Sequence, residues 1–301
     1  MTNLSSVNMR TFLFPFLLFS IVVFAQDEPT PQVEEEWNKG GKTTLLFNQA
    51  SFSEWVSGGE NSVSLSFHAN YDLNYKKNGW SWDTKFLGDF GLTKLSGSKY
   101  LRKTSDRFDV QSLLGRNFSE RWSYSALFGI KTQFSRGYKY NTDEEGIETR
   151  TLRTHFFSPV YIELGVGLYW KKSQNFWINV SPFTQRITLV SRKFTTDLVE
   201  TERYFGVRKG DNHRFELGSS LSALYLFSPL ENVTLEQRLR LYSDYLDKAE
   251  NIDLDYQITA EMKVNERIST NLIIQFVYDD NAVQRLQVRE VFGIGVSVAL
   301  N

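Results

Sequence analysis

The feature that most constrains the fold is an unbroken alternation of apolar and polar side chains. Between residues 62 and 76, every odd position from Val63 to Tyr75 is apolar or aromatic, and every even position is polar. Side chains of a β-strand point alternately to opposite faces, so this pattern predicts a strand with one apolar and one polar face. Ordinary soluble strands run about 5–6 residues, whereas a tilted strand needs about 9–11 to cross a bilayer. The length of this segment therefore favours a membrane-spanning strand.

A tight hairpin follows the first strand. Asn78-Gly79 is a strong signal for a two-residue type I′ turn, and alternation resumes at Trp80. A turn of this length sets the register, and in that register apolar residues face apolar residues while polar residues face polar ones. The predicted pairs include Phe67 with Phe90, Tyr71 with Phe86, Asp72 with Lys85, and His68 with Asp89.

The same alternation recurs along the chain and predicts twelve strands. They lie at 42–50, 62–76, 80–93, 105–118, 122–134, 157–171, 176–190, 212–227, 233–243, 252–264, 268–278 and 283–301. An even strand count, with short links alternating with longer ones, is typical of an outer-membrane barrel with short periplasmic turns. We therefore predict an all-β fold, a twelve-stranded antiparallel transmembrane β-barrel over residues 42–301. The alternative is a secreted β-sandwich or a lipocalin-like barrel, whose apolar faces would point inward.

The N-terminal segment has the pattern of a secretory leader. Arg10 precedes an apolar run from Phe12 to Ala25, which is shorter than the roughly 20 residues of a spanning helix. We predict a signal peptide at residues 1–25 and an acidic, flexible linker at 26–41. A buried N-terminal helix is the alternative. A leader and a barrel together predict location in the cell outer membrane.

Aromatic residues gather at the predicted short-turn end of the strands. This pattern is typical of an interfacial girdle, in which amphipathic rings lie at the level of the lipid headgroups. The predicted girdle consists of Tyr75, Trp80, Trp82, Trp122 and Trp170. Outer-membrane lipid is accordingly a predicted partner.

Four segments resemble a family of uncharacterised outer-membrane proteins of Gram-negative bacteria. The segment Trp55 to Ser62 (WVSGGENS) resembles the tryptophan–Gly-Gly–Glu-Asn-Ser signature of that family. The resemblance extends to Tyr75–Trp82, Arg102–Phe108 and Trp122–Phe134. It implies an outer-membrane β-barrel and no known reaction.

The signature lies in the first predicted external loop, and its motif residues are Trp55, Gly58, Gly59, Glu60 and Asn61. The glycines suit turn geometry. The alternative is a loop that folds into the barrel mouth or docks on a partner.

Charged residues of both signs occupy the predicted inward faces. The chain has 34 Lys and Arg against 35 Asp and Glu, a net charge of -1, which gives no sign of nucleic-acid binding. We predict that Asp109 lies opposite Lys131 and that Arg240 lies roughly opposite Asp255. The predicted lumen charge network comprises Asp72, Lys85, His68, Asp89, Asp109, Lys131, Arg240 and Asp255.

The residues give little support to catalysis or metal binding. Cysteine is absent and only three histidines are present, so we assign no catalytic, cofactor-binding or metal-binding residue. A His68–Asp89 dyad serving a serine hydrolase is the alternative to an ion pair in the bore. Calcium binding at Asp143 to Glu148 is the alternative to a solvated run of charges.

Three functional hypotheses follow from this sequence. The first is an outer-membrane barrel that forms a narrow channel for small solutes. The second is a structural or accessory subunit of an outer-membrane protein assembly, with loops 135–155 and 191–211 contacting protein partners. The third is a lipid-modifying outer-membrane enzyme, which has less support because no nucleophile-elbow motif is present.

Overall fold

The computed structural model of the protein describes residues 36–53 and 60–300. The predicted signal peptide and most of the predicted linker lie outside the described residues. The strands are β1 (Trp37–Ala50), β2 (Ser62–Lys77), β3 (Trp80–Leu95), β4 (Arg102–Asn117), β5 (Trp122–Thr132), β6 (Gly137–Thr142), β7 (Glu148–Thr154), β8 (Val160–Ser173), β9 (Phe176–Leu189), β10 (Arg203–Tyr204), β11 (Val207–Arg208), β12 (His213–Leu230), β13 (Val233–Asp244), β14 (Ile252–Lys263), β15 (Ile268–Asp279) and β16 (Val283–Leu300).

Twelve of these strands form a closed antiparallel barrel. Their order around the wall is β1-β16-β15-β14-β13-β12-β9-β8-β5-β4-β3-β2. The ring is closed by β1 and β16, which pair from Gly41 with Leu300 to Phe47 with Ile294. The predicted fold class and strand number are therefore confirmed.

The predicted start of the barrel at residue 42 is wrong. Strand β1 begins at Trp37, and Trp37 already pairs with Tyr75 of β2. Residues 37–41 lack regular alternation because Gly40 and Gly41 interrupt it. Gly41 is needed at its position, since a Cβ there would lie 2.3 Å from the carbonyl oxygen of Asn70.

The first hairpin has the predicted turn and register. Asn78 and Gly79 both have positive φ, at 51° and 76°, as a type I′ turn requires. The four predicted pairs are present, including His68 with Asp89 and Asp72 with Lys85.

The apolar faces of the strands point outward. Val63, Phe67 and Phe86 are 47%, 45% and 37% exposed, whereas the intervening Ser66 is 6% exposed. A soluble sandwich or lipocalin-like barrel would bury the apolar faces, so this polarity excludes the soluble alternative. Lipid is the solvent that suits such a wall.

Among the described residues, no helix has the length and apolar character to cross a membrane.

The two longest predicted loops contain small hairpins. Strands β6 and β7 pair within residues 135–155, and β10 and β11 pair within residues 191–211. The β6–β7 hairpin is held by Arg150, whose guanidinium lies 4.5 Å from the ring centre of Tyr100 and 4.2 Å from that of Tyr138. Such contacts join side chains that are distant in sequence, so alternation alone does not reveal them.

Glu148 anchors the β6–β7 hairpin to the neighbouring loop. Its carboxylate accepts hydrogen bonds from Arg102 Nη2 at 2.8 Å, Lys99 N at 2.7 Å and Ser98 Oγ at 3.0 Å. The hydrogen bond from the Arg102 side chain is the main reason why the pKa of Glu148 is lowered. In the predicted charge run, Asp143 Oδ1 instead accepts from Ile147 N at 2.7 Å and closes the hairpin turn.

Acidification should loosen the β6–β7 hairpin. Because the pKa of Glu148 is lowered from 4.5 on folding, its contribution to stability is present above that value and is lost as pH falls through the lowered pKa. We expect the anisotropy of a pH-insensitive fluorophore on Glu145→Cys, the chain's single cysteine, to drop between pH 7 and pH 3. Glu148→Gln should give low anisotropy at both pH values, and a wild-type signal independent of pH would contradict the role of Glu148.

A charge on the outer wall should destabilise the barrel. Val166, in the middle of β8, is 56% exposed, and Val199, in loop 191–211, is 57% exposed. A lysine on the lipid face at the bilayer midplane costs about 2–4 kcal/mol. We expect Val166→Lys to lower the unfolding free energy in phospholipid vesicles by that amount, and Val199→Lys to leave it nearly unchanged. Equal effects would mean that the wall does not face lipid.

Candidate functional site

The bore of the barrel contains the candidate site. Every member of the predicted lumen network makes an ion pair or hydrogen bond within the bore. The members are His68 and Asp72 on β2, Lys85 and Asp89 on β3, Asp109 on β4, Lys131 on β5, Arg240 on β13 and Asp255 on β14.

A central cluster joins β4, β5, β13 and β14 at one level of the bore. It consists of Arg107, Asp109, Lys131, Arg240 and Asp255. The Asp109 carboxylate lies 2.6 Å from Arg107 Nη2 and 2.9 Å from Arg240 Nη1, and its side chain is 1% exposed. Lys131 Nζ lies 2.5 Å from Asp255 Oδ2. Both carboxylates are thus neutralised by cations in direct contact.

The ion pairs of the central cluster cross the bore. Asp109 is the register partner of Lys131, and Arg240 is the register partner of Asp255, as predicted. The direct contacts instead join Asp109 to Arg240 and Lys131 to Asp255. In each case four barrel strands separate the partners on one side and six on the other. Inward side chains converge near the axis of a narrow barrel, so long cationic side chains reach the far wall.

Further contacts bridge the walls beside the central cluster. Lys85 lies 2.8 Å from Asp72 on the adjacent strand and 3.8 Å from Glu236 on the diametrically opposite strand. Arg107 Nη1 donates to Gln257 Oε1 at 3.0 Å, again across the bore. Sequence reasoning missed Arg107 as a network member, although its inward position on β4 follows from the alternation.

His68 and Asp89 form the predicted pair. His68 Nδ1 lies 2.7 Å from Asp89 Oδ1, and each side chain is 13% exposed. Arg289 Nη2 lies 3.7 Å from the same carboxylate. His68 Nε2 has no hydrogen-bond partner among the described residues. The pair belongs to the bore and is separated by the wall from the surrounding lipid.

A cavity of about 410 Å³ lies on the long-loop side of the central cluster. We call it the loop-side chamber. Its floor includes Lys131 and Arg240 of the central cluster. Arg186 projects from its wall, with Nε 3.0 Å from Glu163 and Nη1 2.5 Å from Asp253.

Loop 191–211 covers part of this chamber. Phe205, between β10 and β11, contributes to the lining, and the next strand residue, Val207, is 0% exposed. Gly206 has φ of 76°, and a Cβ there would lie 2.4 Å from Arg214 Nη1. The loop predicted to contact partners is therefore folded against the mouth of its own barrel.

Three carboxylates gather beside the chamber. Asp253, Asp279 and Asp280 offer oxygens that all lie within 4.8 Å of one another. Asp253 and Asp279 are in the chamber lining. Sequence reasoning missed this cluster, because Asp279 and Asp280 meet Asp253 only when β14 and β15 fold side by side.

The signature motif of the first long loop is only partly described. Trp55, Gly58 and Gly59 lie outside the described residues. Glu60 is exposed, and Asn61 Oδ1 accepts a hydrogen bond from Phe52 N at 2.5 Å. The carbonyl of Asn61 also accepts from Ser96 N at 2.7 Å, which ties this loop to the next one.

The predicted girdle residues lie at the short-turn end of the wall. Trp80, Trp82 and Trp122 are 44%, 46% and 43% exposed. Trp37 joins them, since its ring centre is 4.9 Å from that of Tyr75. Trp170 packs edge-on against Phe176 at 5.3 Å. Their depth in the membrane interface stays a prediction.

These features define the class of the protein. Only helices and closed barrels satisfy their own backbone hydrogen bonds in lipid, and this barrel combines an apolar outer wall with a polar bore. Even-numbered single-chain barrels of this kind are outer-membrane proteins. The chain is therefore an outer-membrane β-barrel protein.

Residues 47–138 match a family described as "Protein of unknown function (DUF3078)". No curated protein matches the chain. Among solved structures, it is similar to the translocator domain of the autotransporter NalP from Neisseria meningitidis, at 10% identity and a TM-score of 0.38, over 89% of each chain. It is also similar to the COG4313 outer membrane channel from Pseudomonas putida F1, at 10% identity and a TM-score of 0.38, over 91% of this chain and 99% of that chain.

Removing the shared carboxylate of the central cluster should destabilise the barrel. Asp109→Asn leaves the buried Arg107 and the half-buried Arg240 without their shared counter-charge. Leaving a buried charge unpaired costs about 3–5 kcal/mol. Asp72→Asn is the matched control, because that side chain is 40% exposed and its pair should contribute no more than about 1 kcal/mol. Guanidinium-induced unfolding in lipid vesicles, followed by tryptophan fluorescence, measures both. Equal losses would argue against the central role of Asp109.

Proposed function

We propose that the protein is a narrow outer-membrane channel for small solutes and that the central cluster forms its constriction. The supporting observation is the pair of ion contacts, Asp109 with Arg240 and Lys131 with Asp255, that join strands on opposite walls. These contacts divide the bore at one level, and the loop-side chamber lies beside them. Solutes would pass between side chains that can rearrange, while the backbone wall stays closed.

The strand number supports this proposal. Eight-stranded barrels are filled by side chains, and barrels of 16–18 strands leave an open aqueous channel. A twelve-stranded barrel lies between these limits, so a few long side chains suffice to bridge it. The network contains both signs of charge, whereas a channel specific for anions should present Arg and Lys without acidic partners. The constriction therefore limits size more than it selects anions.

Shortening the cross-bore cations should widen the channel. In a planar bilayer we expect small single-channel steps from the wild-type protein and larger steps from Lys131→Ser/Arg240→Ser. The matched control is Arg203→Ser/Lys209→Ser, which removes the same two residue types at exposed positions of loop 191–211. Its conductance should equal that of the wild type.

The channel proposal fails if neither the wild type nor the widened variant conducts while both show the heat-dependent gel mobility of a folded barrel. That result would favour the second candidate, an accessory subunit of an outer-membrane assembly. Exposed apolar side chains on the long-loop segments favour that candidate, notably Phe156 at 59%, Val199 at 57% and Leu246 at 62%.

A lipid-modifying activity has less support. The imidazole of His68 belongs to the bore network, where it pairs with Asp89. The acyl chains of a lipid substrate would lie on the opposite side of the wall, beside residues such as Phe67.

A further inference from the structure

The loop-side chamber has more negative charge than its cations neutralise. Its lining contains the carboxylates Asp106, Glu163, Asp253, Asp255 and Asp279 and the cations Lys131, Arg186 and Arg240. Asp255 is neutralised by Lys131, and Asp106 is neutralised by Lys103 from outside the lining. Arg240 is in contact with Asp109, so its charge is used in the central cluster.

The remaining cation of the chamber is shared. Arg186 contacts both Glu163 and Asp253, so a single positive charge serves two carboxylates. Asp279 has no ion-pair partner among the described residues, and its Oδ1 accepts only from the backbone N–H groups of Asn281 and Ala282. Two negative charges of the chamber thus have no cation of their own.

A buried hydroxyl in the same wall has no partner. Tyr242 lines the chamber and is 3% exposed, and its Oη has no hydrogen-bond partner among the described residues. It is the register partner of Asp253 on the neighbouring strand, and both residues belong to the chamber lining. A buried polar group without a partner is unfavourable, so a bound donor or acceptor at this wall would stabilise it.

The size and composition of the chamber indicate the kind of occupant. A volume of about 410 Å³ falls within the range of small-molecule sites and far exceeds the space taken by one bare metal ion. The rings of Tyr161 and Tyr278 contribute to the lining beside the carboxylates, whereas the ring of Tyr242 is covered by the Arg186 guanidinium at 3.5 Å. Aromatic surface next to uncompensated carboxylates suits an organic ammonium or guanidinium compound.

We propose that the loop-side chamber binds a small organic cation, with Asp253 and Asp279 as counter-charges and the Tyr242 hydroxyl as a hydrogen-bonding group. This inference deepens the proposed channel function and rests on it, because a site of this kind beside the constriction would make cations the transported or regulating solutes. Binding itself can be measured without any current through the barrel.

Calorimetric titration of the full mature barrel in detergent tests this proposal. The probe is 1,4-diaminobutane, and the matched control compound is 1,4-butanediol, which has a similar length and no charge. We expect the diamine to bind and the diol not to bind. Asp279→Asn should weaken the binding of the diamine by about tenfold or more, as expected for the loss of a charge-assisted hydrogen bond.

Two more variants separate the chamber from general charge effects. Tyr242→Phe should weaken diamine binding because it removes only the hydroxyl, whereas Asp197→Asn removes an exposed carboxylate of loop 191–211 and should change nothing. The proposal is overturned if the diol binds as well as the diamine, or if Asp279→Asn binds the diamine as tightly as the wild type. The proposal is also overturned if the protein binds magnesium ions from magnesium chloride and does not bind the diamine, since the site would then be one for an inorganic cation.

The outcomes distinguish this inference from the channel proposal. A barrel that conducts and binds no diamine overturns the cation site alone. A barrel that binds the diamine through Asp279 and never conducts overturns the channel alone and leaves a cation-binding barrel.

Discussion

Hydrogen bonding between β1 and β16 is the constraint on which the rest of the structure depends. A sheet in lipid has no water to satisfy its edges, so the first and last strands must pair. The register from Gly41–Leu300 to Phe47–Ile294 accomplishes this closure. Gly41 permits the required approach of β2, because any side chain there would collide with the backbone at Asn70.

Closure also gives the two faces of each strand different surroundings. Outward side chains such as Val63 and Phe67 meet lipid, and inward side chains such as Asp109 and Arg240 meet one another across a narrow bore. An inward charge cannot be hydrated as freely as one at a protein surface, so each needs a partner within reach. The cross-bore ion pairs follow from the small radius of the barrel and not from any local motif.

The sequence reveals the local part of this structure well. Period-two alternation and Asn78-Gly79 suffice to predict the strands, their faces and the pairing of His68 with Asp89. The start of β1 at Trp37 was missed because glycines break the alternation there. The partners of Asp109 and Lys131 were missed for a different reason. Register defines neighbours on adjacent strands, whereas contacts across the bore depend on barrel radius and side-chain length.

The same reasoning explains why the chamber could not be recognised beforehand. Asp253 and Asp279 come from different strands, and nothing in either segment shows that one guanidinium, that of Arg186, must serve both Asp253 and Glu163. In the central cluster each carboxylate has at least one cation of its own, which suits a contact that holds opposite walls together. Beside the chamber, two carboxylates have no cation of their own. Uncompensated negative charge next to an open volume favours the binding of a mobile cation over a permanent ion pair between the walls.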